Sequence, residues 1–212
     1  MKTLLSNVLK YSLFSLFISG TLTCISCETD KKEQKQDSEI EEQSAETRTF
    51  YISSSSGSDS NDGLTQEKAW KTLGKINSVD LKPGDNILLR SGDTWEEATE
   101  YTSKFQGTKE APIVLSSYGE GERPKITSPA RDIRALMMIR NADYLTIRNL
   151  DFGPFHQYGL RFDISDAKEH HGITIDNVNV HNMNIVGIFF NTRGTPGYRD
   201  VKVIGCTGYK VE

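Results

Sequence analysis

The sequence predicts an all-β fold in which short parallel strands stack as the coils of a solenoid. Three eight-residue segments share one pattern, and their first residues, Leu145, Ile173 and Val201, are 28 positions apart. A second pair of segments, 159–164 and 187–192, keeps the same step of 28. A constant period of this size is typical of stacked units that bury one face against their neighbours.

The segments themselves have the pattern of β-strands joined by tight corners. Apolar and polar residues alternate, as in Leu145-Thr146-Ile147, so one set faces the core and the other faces solvent. The alternation changes phase at positions 149, 177 and 205, which are Asn, Asn and Gly. These residue types readily adopt a positive φ, so we expect a two-residue bend there and hydrogen bonds between the stacked Asn side chains.

A coil of about 28 residues with three strands and three corners is a rung of a parallel β-solenoid. The 3, 4, 7 spacing of a helical solenoid is missing, as is the Leu and Asn ladder of leucine-rich repeats. Upstream apolar runs at 87–89, 113–115, 125–127 and 136–139 extend the stack to four or five coils. In 67–78, Trp70, Leu73 and Ile76 recur every three residues, which predicts a short helix capping the first coil.

The first 27 residues have the features of an export signal. Lys2 and Lys10 flank a start without acidic residues, and the apolar stretch 11–23 is too short to span a membrane. The sequence Cys24-Ile-Ser-Cys27 that follows resembles a bacterial lipoprotein signal, with lipid attachment at Cys27 in preference to Cys24. We therefore expect an exported cell-envelope lipoprotein of the outer membrane or cell surface, touching the membrane only through its lipid. The alternative is an ordinary cleaved signal.

Residues 28–47 form a polar, acidic segment with eight acidic and three basic residues. Such a segment cannot bury a core and predicts a disordered tether before a folded domain over 48–212. That domain holds 20 basic and 21 acidic residues, so its charge gives no support for nucleic-acid binding. We expect a monomer. Three cysteines are too few for a disulfide framework, and the repeat predicts that Cys206 points inward as a buried apolar residue.

Four motifs near the start of this domain carry a family resemblance: FYISSSSGSDSNDG at 50–63, AWKTL at 69–73, LKPGDNILL at 81–89 and GDTWE at 92–96. With 107–126, they resemble the entry of right-handed parallel β-helix proteins of the pectate-lyase-like superfamily. The resemblance extends over 48–212 and implies that single-stranded fold. Members usually have several more coils, so we expect a C-terminally truncated chain whose main catalytic residues lie beyond its end.

In this fold the substrate lies along the outer face of one sheet and its adjoining loops. If the apolar residues of 159–164 and 187–192 point inward, then the outward residues are Arg161, Asp163, Phe189 and Asn191. The 28-residue step places Arg161 beside Phe189 and Asp163 beside Asn191. An outward aromatic beside Arg and Asp resembles a sugar-binding platform. The alternative is that the aromatic residues pack under long loops.

The resemblance also suggests roles for the polar residues around this strip. In an uronan lyase, Arg161 or Arg193 would neutralise the sugar carboxylate and Tyr158 would donate a proton. His156 would act as the base, because its ordinary pKa lies near neutrality. His181 and Asn184, from the next coil, would join in binding substrate.

Two further clusters are compatible with metal binding or with ordinary turns. Asp59, Asn61 and Asp62 form an oxygen-rich loop, but it lacks the later bidentate Glu of a standard calcium loop. Their residue types are also common in turns, so calcium is the alternative and no other cofactor is expected. For His170-His171 we expect a solvated corner in preference to metal ligation.

These observations predict a surface-anchored carbohydrate-active protein with a polysaccharide as its partner. The function we expect from the sequence is that of a lyase that cleaves uronic-acid glycans by β-elimination. A glycoside hydrolase or uronan epimerase on the same fold is one alternative. A non-catalytic glycan-binding or adhesive surface protein is another, because the fold does not choose the function.

Overall fold

A computed structural model describes residues 47–192, 194 and 196–210. The predicted signal, nearly all of the predicted tether, both N-terminal cysteines and Arg193 lie outside the described residues. Within the described part of the chain, no helix is long and apolar enough to cross a membrane.

The described residues form seventeen short strands and one 3-10 helix, Leu73–Ser78. In chain order the strands are β1 Thr49–Ile52, β2 Asn86–Arg90, β3 Thr94–Glu96, β4 Thr99–Thr102, β5 Ile113–Tyr118, β6 Lys125–Thr127, β7 Ala135–Arg140, β8 Leu145–Arg148, β9 Asp151–Phe152, β10 Tyr158–Asp163, β11 His170–His171, β12 Thr174–Asp176, β13 Asn179–His181, β14 Val186–Asn191, β15 Tyr198–Arg199, β16 Lys202–Ile204 and β17 Thr207–Tyr209.

These strands build three parallel sheets that the chain visits in turn. Sheet A has the order β1-β2-β5-β8-β12-β16, sheet B the order β3-β6-β9-β13-β17 and sheet C the order β4-β7-β10-β14. A small parallel pair, β11-β15, lies between sheet C and sheet A along the chain. This is a single-stranded parallel β-helix of about four coils, so the predicted fold is confirmed.

The corner between sheets A and B follows from the residues the sequence places there. Asn149, Asn177 and Gly205 have φ values of 57°, 53° and 60°. The Asn177 Nδ2 donates a hydrogen bond to Asn149 Oδ1 at 2.8 Å, one coil away. The predicted bends and the predicted Asn ladder are both confirmed.

The core fills the space enclosed by the three sheets. Leu145, Ile147 and Ile175 are fully buried, as the alternation predicts. Val203 keeps the same register but is 52% exposed, because it belongs to the last of the described coils. Cys206 is partly buried and packs against the core, in line with its predicted inward direction.

The 3-10 helix covers the side of the first coil opposite to the later coils. Leu73 and Ile76 are fully buried, and the inward Tyr101 of β4 donates a hydrogen bond to the Leu73 carbonyl at 2.9 Å. The helix is shorter than predicted because Trp70 pairs as a β-bridge with Ile52 and not as part of a helix.

Candidate functional site

A groove runs across four coils at the corner between sheets B and C. It has a volume of about 430 Å³. Its lining residues all lie where a strand of sheet B ends or in the connection that leads to sheet C: Glu96, Thr127, Ser128, Pro129, Arg131, Pro154, Phe155, His156, Asn182 and Asn184. Because equivalent corners of parallel coils stack, residues far apart in sequence meet in this corner groove.

His156 and Asn184, both predicted to contact substrate, lie in the corner groove. The His156 ring packs edge-on against Phe155, with ring centroids 4.4 Å apart. Phe155 is buried, and its backbone forms a β-bridge with Met183 on the next coil. These contacts fix the backbone next to His156. The His156 Nε2 lies 3.2 Å from the Gln157 amide nitrogen, which can donate a hydrogen bond to it.

Charges of both signs and amide groups line the same groove. Glu96 and Arg131 are exposed, and Asn182 and Asn184 come from the connection between β13 and β14. Carboxylates, guanidinium groups and amides together offer both donors and acceptors of hydrogen bonds. The groove is therefore suited to a ligand rich in hydroxyl groups.

The outer strip of sheet C, defined as Tyr158, Arg161, Asp163, Phe189 and Asn191, lies beyond this corner along the chain. The predicted register is confirmed, since Arg161 pairs with Phe189 and Asp163 with Asn191. The inward neighbours Leu160 and Phe162 are fully buried.

Arg161 is already engaged within this strip. Its guanidinium lies 5.2 Å from the Tyr158 ring centroid and 5.5 Å from that of Phe189. Its Nε is 2.8 Å from Asp163 Oδ1, and the residue is only 8% exposed. The two rings stack on each other at 5.0 Å. The strip therefore resembles packed aromatic residues, the alternative prediction, more than a sugar-binding platform with a free cation.

Ion pairs extend from this strip to the earlier coils. Arg140 Nε lies 4.0 Å from Asp163 Oδ2, and Arg140 also pairs with Glu100. The acidic and basic groups of three neighbouring strands thus compensate one another, so this face holds little uncompensated charge.

His181 is not in the corner groove, although the sequence grouped it with Asn184. It ends β13 on the outer face of sheet B, where its Nε2 lies 2.9 Å from Asp151 Oδ1. Its ring stacks on that of Tyr209 at 5.0 Å. Asp151 was missed as a partner, although the 28-residue step places it beside Asn179.

Asp59, in the predicted calcium loop, bonds to the protein itself. It accepts hydrogen bonds from the backbone N–H groups of Lys71 and Thr72 and from the Thr72 hydroxyl. Burial alone would raise the pKa of Asp59, but the bonds from Thr72 and Lys71 outweigh it and lower the pKa.

The other two residues of this loop are engaged in the same way. Asp62 accepts a hydrogen bond from the Leu64 N–H, and Asn61 donates one to the Ala69 carbonyl. Among the described residues, no group of three His, Cys, Asp or Glu side chains is placed to hold a metal ion.

The expectation of a solvated corner is wrong for His170. Its side chain is 3% exposed, with Nδ1 at 2.8 Å from Asp143 Oδ2 and Nε2 at 2.9 Å from Asp166 Oδ1. Asp143 comes from the connection before β8 and Asp166 from the one after β10. This contact joins two coils, which no local sequence pattern indicated.

No protein-family model matches the chain. A segment is 30% identical over 127 residues to lacto-N-biosidase of Bifidobacterium longum, covering 49% of the chain and 8% of that protein. Another match, 29% identical over 73 residues, is to alpha-1,3-galactosidase A of Akkermansia muciniphila, covering 34% of the chain and 12% of that protein.

Among solved structures, the chain is similar to the GH136 lacto-N-biosidase of Eubacterium ramulus, with a TM-score of 0.63 and 24% identity. That match covers 77% of this chain and 34% of the other. It supports the β-helix fold. The chain thus spans about a third or less of the length of each of these relatives.

Proposed function

We propose that the chain contributes coils of a carbohydrate-active β-helix protein that hydrolyses glycosidic bonds. The observation that carries this proposal is the sequence similarity to segments of two proteins named as glycosidases. The polar corner groove supports it, because its donors and acceptors match the hydroxyl groups of a glycan.

In this proposal the corner groove binds substrate. His156, Asn182 and Asn184 would hydrogen-bond sugar hydroxyls, and the exposed rings of Pro129 and Pro154 would provide apolar surface. Hydrolysis by acid and base catalysis uses a pair of carboxyl groups. Among the described residues that line the groove, Glu96 is the single carboxylate, so a second one needed for the catalytic pair is missing from this lining. We therefore assign the groove to substrate binding.

The lyase function expected from the sequence has less support than the hydrolase alternative. An elimination mechanism needs a cationic group that is available to the substrate carboxylate. Arg161, one of the two proposed neutralisers, is buried and paired with Asp163, and the other, Arg193, lies outside the described residues. Releasing Arg161 would break a charge-assisted hydrogen bond that contributes roughly 1.5–3 kcal/mol.

The reaction class can be tested with the full-length chain on a panel of neutral and uronic-acid glycans. A hydrolase releases new reducing ends without ultraviolet absorbance from an unsaturated sugar, and this is the expected result. Appearance of the unsaturated product would instead support the lyase. In His156→Ala combined with Asn184→Ala, the KM should rise about tenfold or more, because two hydrogen bonds to substrate are lost. An unchanged KM would remove the corner groove from the proposal.

We also propose that the protein is exported and anchored by a lipid on Cys27, which would place the β-helix where extracellular glycans are accessible. The support is the sequence of the first 27 residues, with its short apolar stretch and its paired cysteines.

A further inference from the structure

The outer face of sheet B carries a second groove, beside the corner groove, that the proposed function does not use. It has a volume of about 720 Å³. Lys125, Asp151 and Asn179 lie side by side on three neighbouring coils of its floor. His181 and Tyr209 form the edge of the groove nearest to the corner.

The side-chain hydrogen bonds of Asp151 are directed to one side only. Its Oδ1 lies 2.9 Å from His181 Nε2, and its Oδ2 accepts from Asn179 Nδ2 at 3.2 Å. Both partners belong to the following coil. Lys125, the neighbour on the preceding coil, therefore has no side-chain hydrogen bond or ion pair with any of the described residues, although it is partly buried.

An unpaired and partly buried ammonium group retains three donors for a ligand. Two other groups in the groove are fixed in position, because Asp151 holds the His181 ring and Tyr209 stacks on it. Such fixed groups lose little conformational entropy when a ligand binds. The groove thus combines available donors with a preorganised edge.

The charges around this groove favour a neutral ligand. Three carboxylates, Asp93, Glu122 and Asp151, and two cations, Arg123 and Lys125, line it. For a ligand with a net charge, attraction to one set of these groups is offset by repulsion from the other, whereas hydroxyl groups can donate to the carboxylates and accept from the cations.

The second groove lies beside the corner groove on the same strands of sheet B. Thr127 lines the corner groove and Lys125 the second one, and both point outward from β6, two residues apart. On the next coil, Gly153 directly follows β9. A Cβ atom there would overlap the carbonyl oxygen of His181, so the backbone approach excludes a side chain.

We propose that the outer face of sheet B extends the glycan-binding site, with Lys125, Asn179 and His181 holding neutral sugar units beyond those in the corner groove. The proposal rests on the proposed function and specifies it further. The substrate is then a neutral oligosaccharide whose chain crosses the outer face of sheet B, and not one confined to the strip on sheet C.

The test is the dependence of affinity on oligosaccharide length, measured by titration calorimetry with the full chain. The probes are neutral N-acetyllactosamine oligosaccharides of one, two and three disaccharide units. We expect the three-unit probe to bind about tenfold or more tightly than the one-unit probe, since added hydrogen bonds to a charged group are worth one or two decades in affinity.

Variants then assign the gain to this groove. In Lys125→Met the ratio between the three-unit and one-unit affinities should fall towards one, and Lys125→Arg should restore part of it because donors return. Lys202→Met removes an exposed lysine from the outer face of sheet A and should leave the ratio as in the parent protein. Equal unfolding midpoints for the three variants show that the fold is intact.

The outcomes separate this inference from the proposed function. Equal affinity for all three lengths, or a ratio unaffected by Lys125→Met, would overturn the extended site alone. Absence of binding at every length, with no hydrolysis of any glycan in the panel, would overturn the proposed function as well.

Discussion

Replacing Asp143 by Asn should change how stability depends on pH, because it removes one of the two carboxylates that hold His170. In the parent protein each ring nitrogen of His170 lies within 2.9 Å of a carboxylate oxygen, so the protonated ring donates from both nitrogens, and we infer that it is an imidazolium at pH values below its raised pKa. In Asp143→Asn the new side-chain oxygen can still accept the hydrogen bond from the His171 N–H, as Asp143 Oδ1 does. The new amide nitrogen then lies opposite Nδ1 of His170, and this amide nitrogen can only donate. The ring must then lose a proton to accept that bond.

The magnitude follows from the bond that is exchanged. A hydrogen bond between charged partners contributes about 1.5–3 kcal/mol, and a neutral one about 0.5–1.5 kcal/mol. Since the His170 side chain is 3% exposed and that of Asp143 24% exposed, screening by solvent is limited. We expect Asp143→Asn to lower the free energy of unfolding by about 1–2 kcal/mol near pH 5.5, where the parent ring is charged.

The sign of the pH dependence follows from the two pKa values. Burial alone would lower the pKa of His170, but its hydrogen bonds with Asp166 and Asp143 raise it above the ordinary 6.5. This stabilisation is complete below 6.5 and is lost as the pH rises through the raised value. The hydrogen bond with His170 lowers the pKa of Asp166 below 3.8, so that contribution is lost as the pH falls through the lowered value.

The assay is urea unfolding followed by circular dichroism at about pH 5.5, 7 and 9, with linear extrapolation to water. Parent and Asp143→Asn should differ most at the lowest of these pH values and converge at the highest. His171→Gln is the matched control, because His171 is 38% exposed and its carboxylate contacts are 3.5 Å or longer. It should alter stability by less than about 1 kcal/mol. If Asp143→Asn retained the pH dependence of the parent, the imidazolium assignment would be wrong.

Two other predictions concern the Asn ladder at the corner between sheets A and B and the lipid anchor. Asn177→Ala should destabilise the fold by about 1–3 kcal/mol in urea unfolding, since alanine tolerates a φ of 53° less well than asparagine and loses the bond to Asn149, while Asn177→Gly should cost less. An alanine variant more stable than the glycine variant would contradict this account. Cys27→Ser should abolish incorporation of labelled palmitate in bacterial cells, whereas Cys24→Ser should not; the reverse pattern would move the anchor to Cys24.

The step of 28 residues predicted the register of the later coils because it acts through local chemistry. Inward and outward positions alternate along each strand, and a bend at Asn149 or Asn177 shifts that alternation in the same way on each coil. The pairing of Arg161 with Phe189 follows directly. The helix boundary was less well predicted, because Trp70 found a strand partner in Ile52, which is 18 residues away along the chain.

The candidate site was predicted only in part. His156 and Asn184 meet in the corner groove as expected, but His181 faces another groove because it is the last outward residue of β13. His181 and Asn184 are thus only three positions apart in the sequence, yet they line two different grooves. The ion pair between Arg161 and Asp163 was not predicted either, because the sequence indicates the direction of both side chains but not the distance between them.

The sequence by itself determined the parallel β-helix, the face of each strand and the residues at the Asn corners. These depend on period, alternation and backbone preference, which are local and repeat on each coil. Only the tertiary structure decided which polar groups are available to a ligand. Asp151 binds to the coil after it and leaves Lys125 unpaired, while Asp143 and Asp166 enclose His170 from two different connections. Such choices depend on side-chain distances between coils, and the spacing of residues along the chain does not contain them.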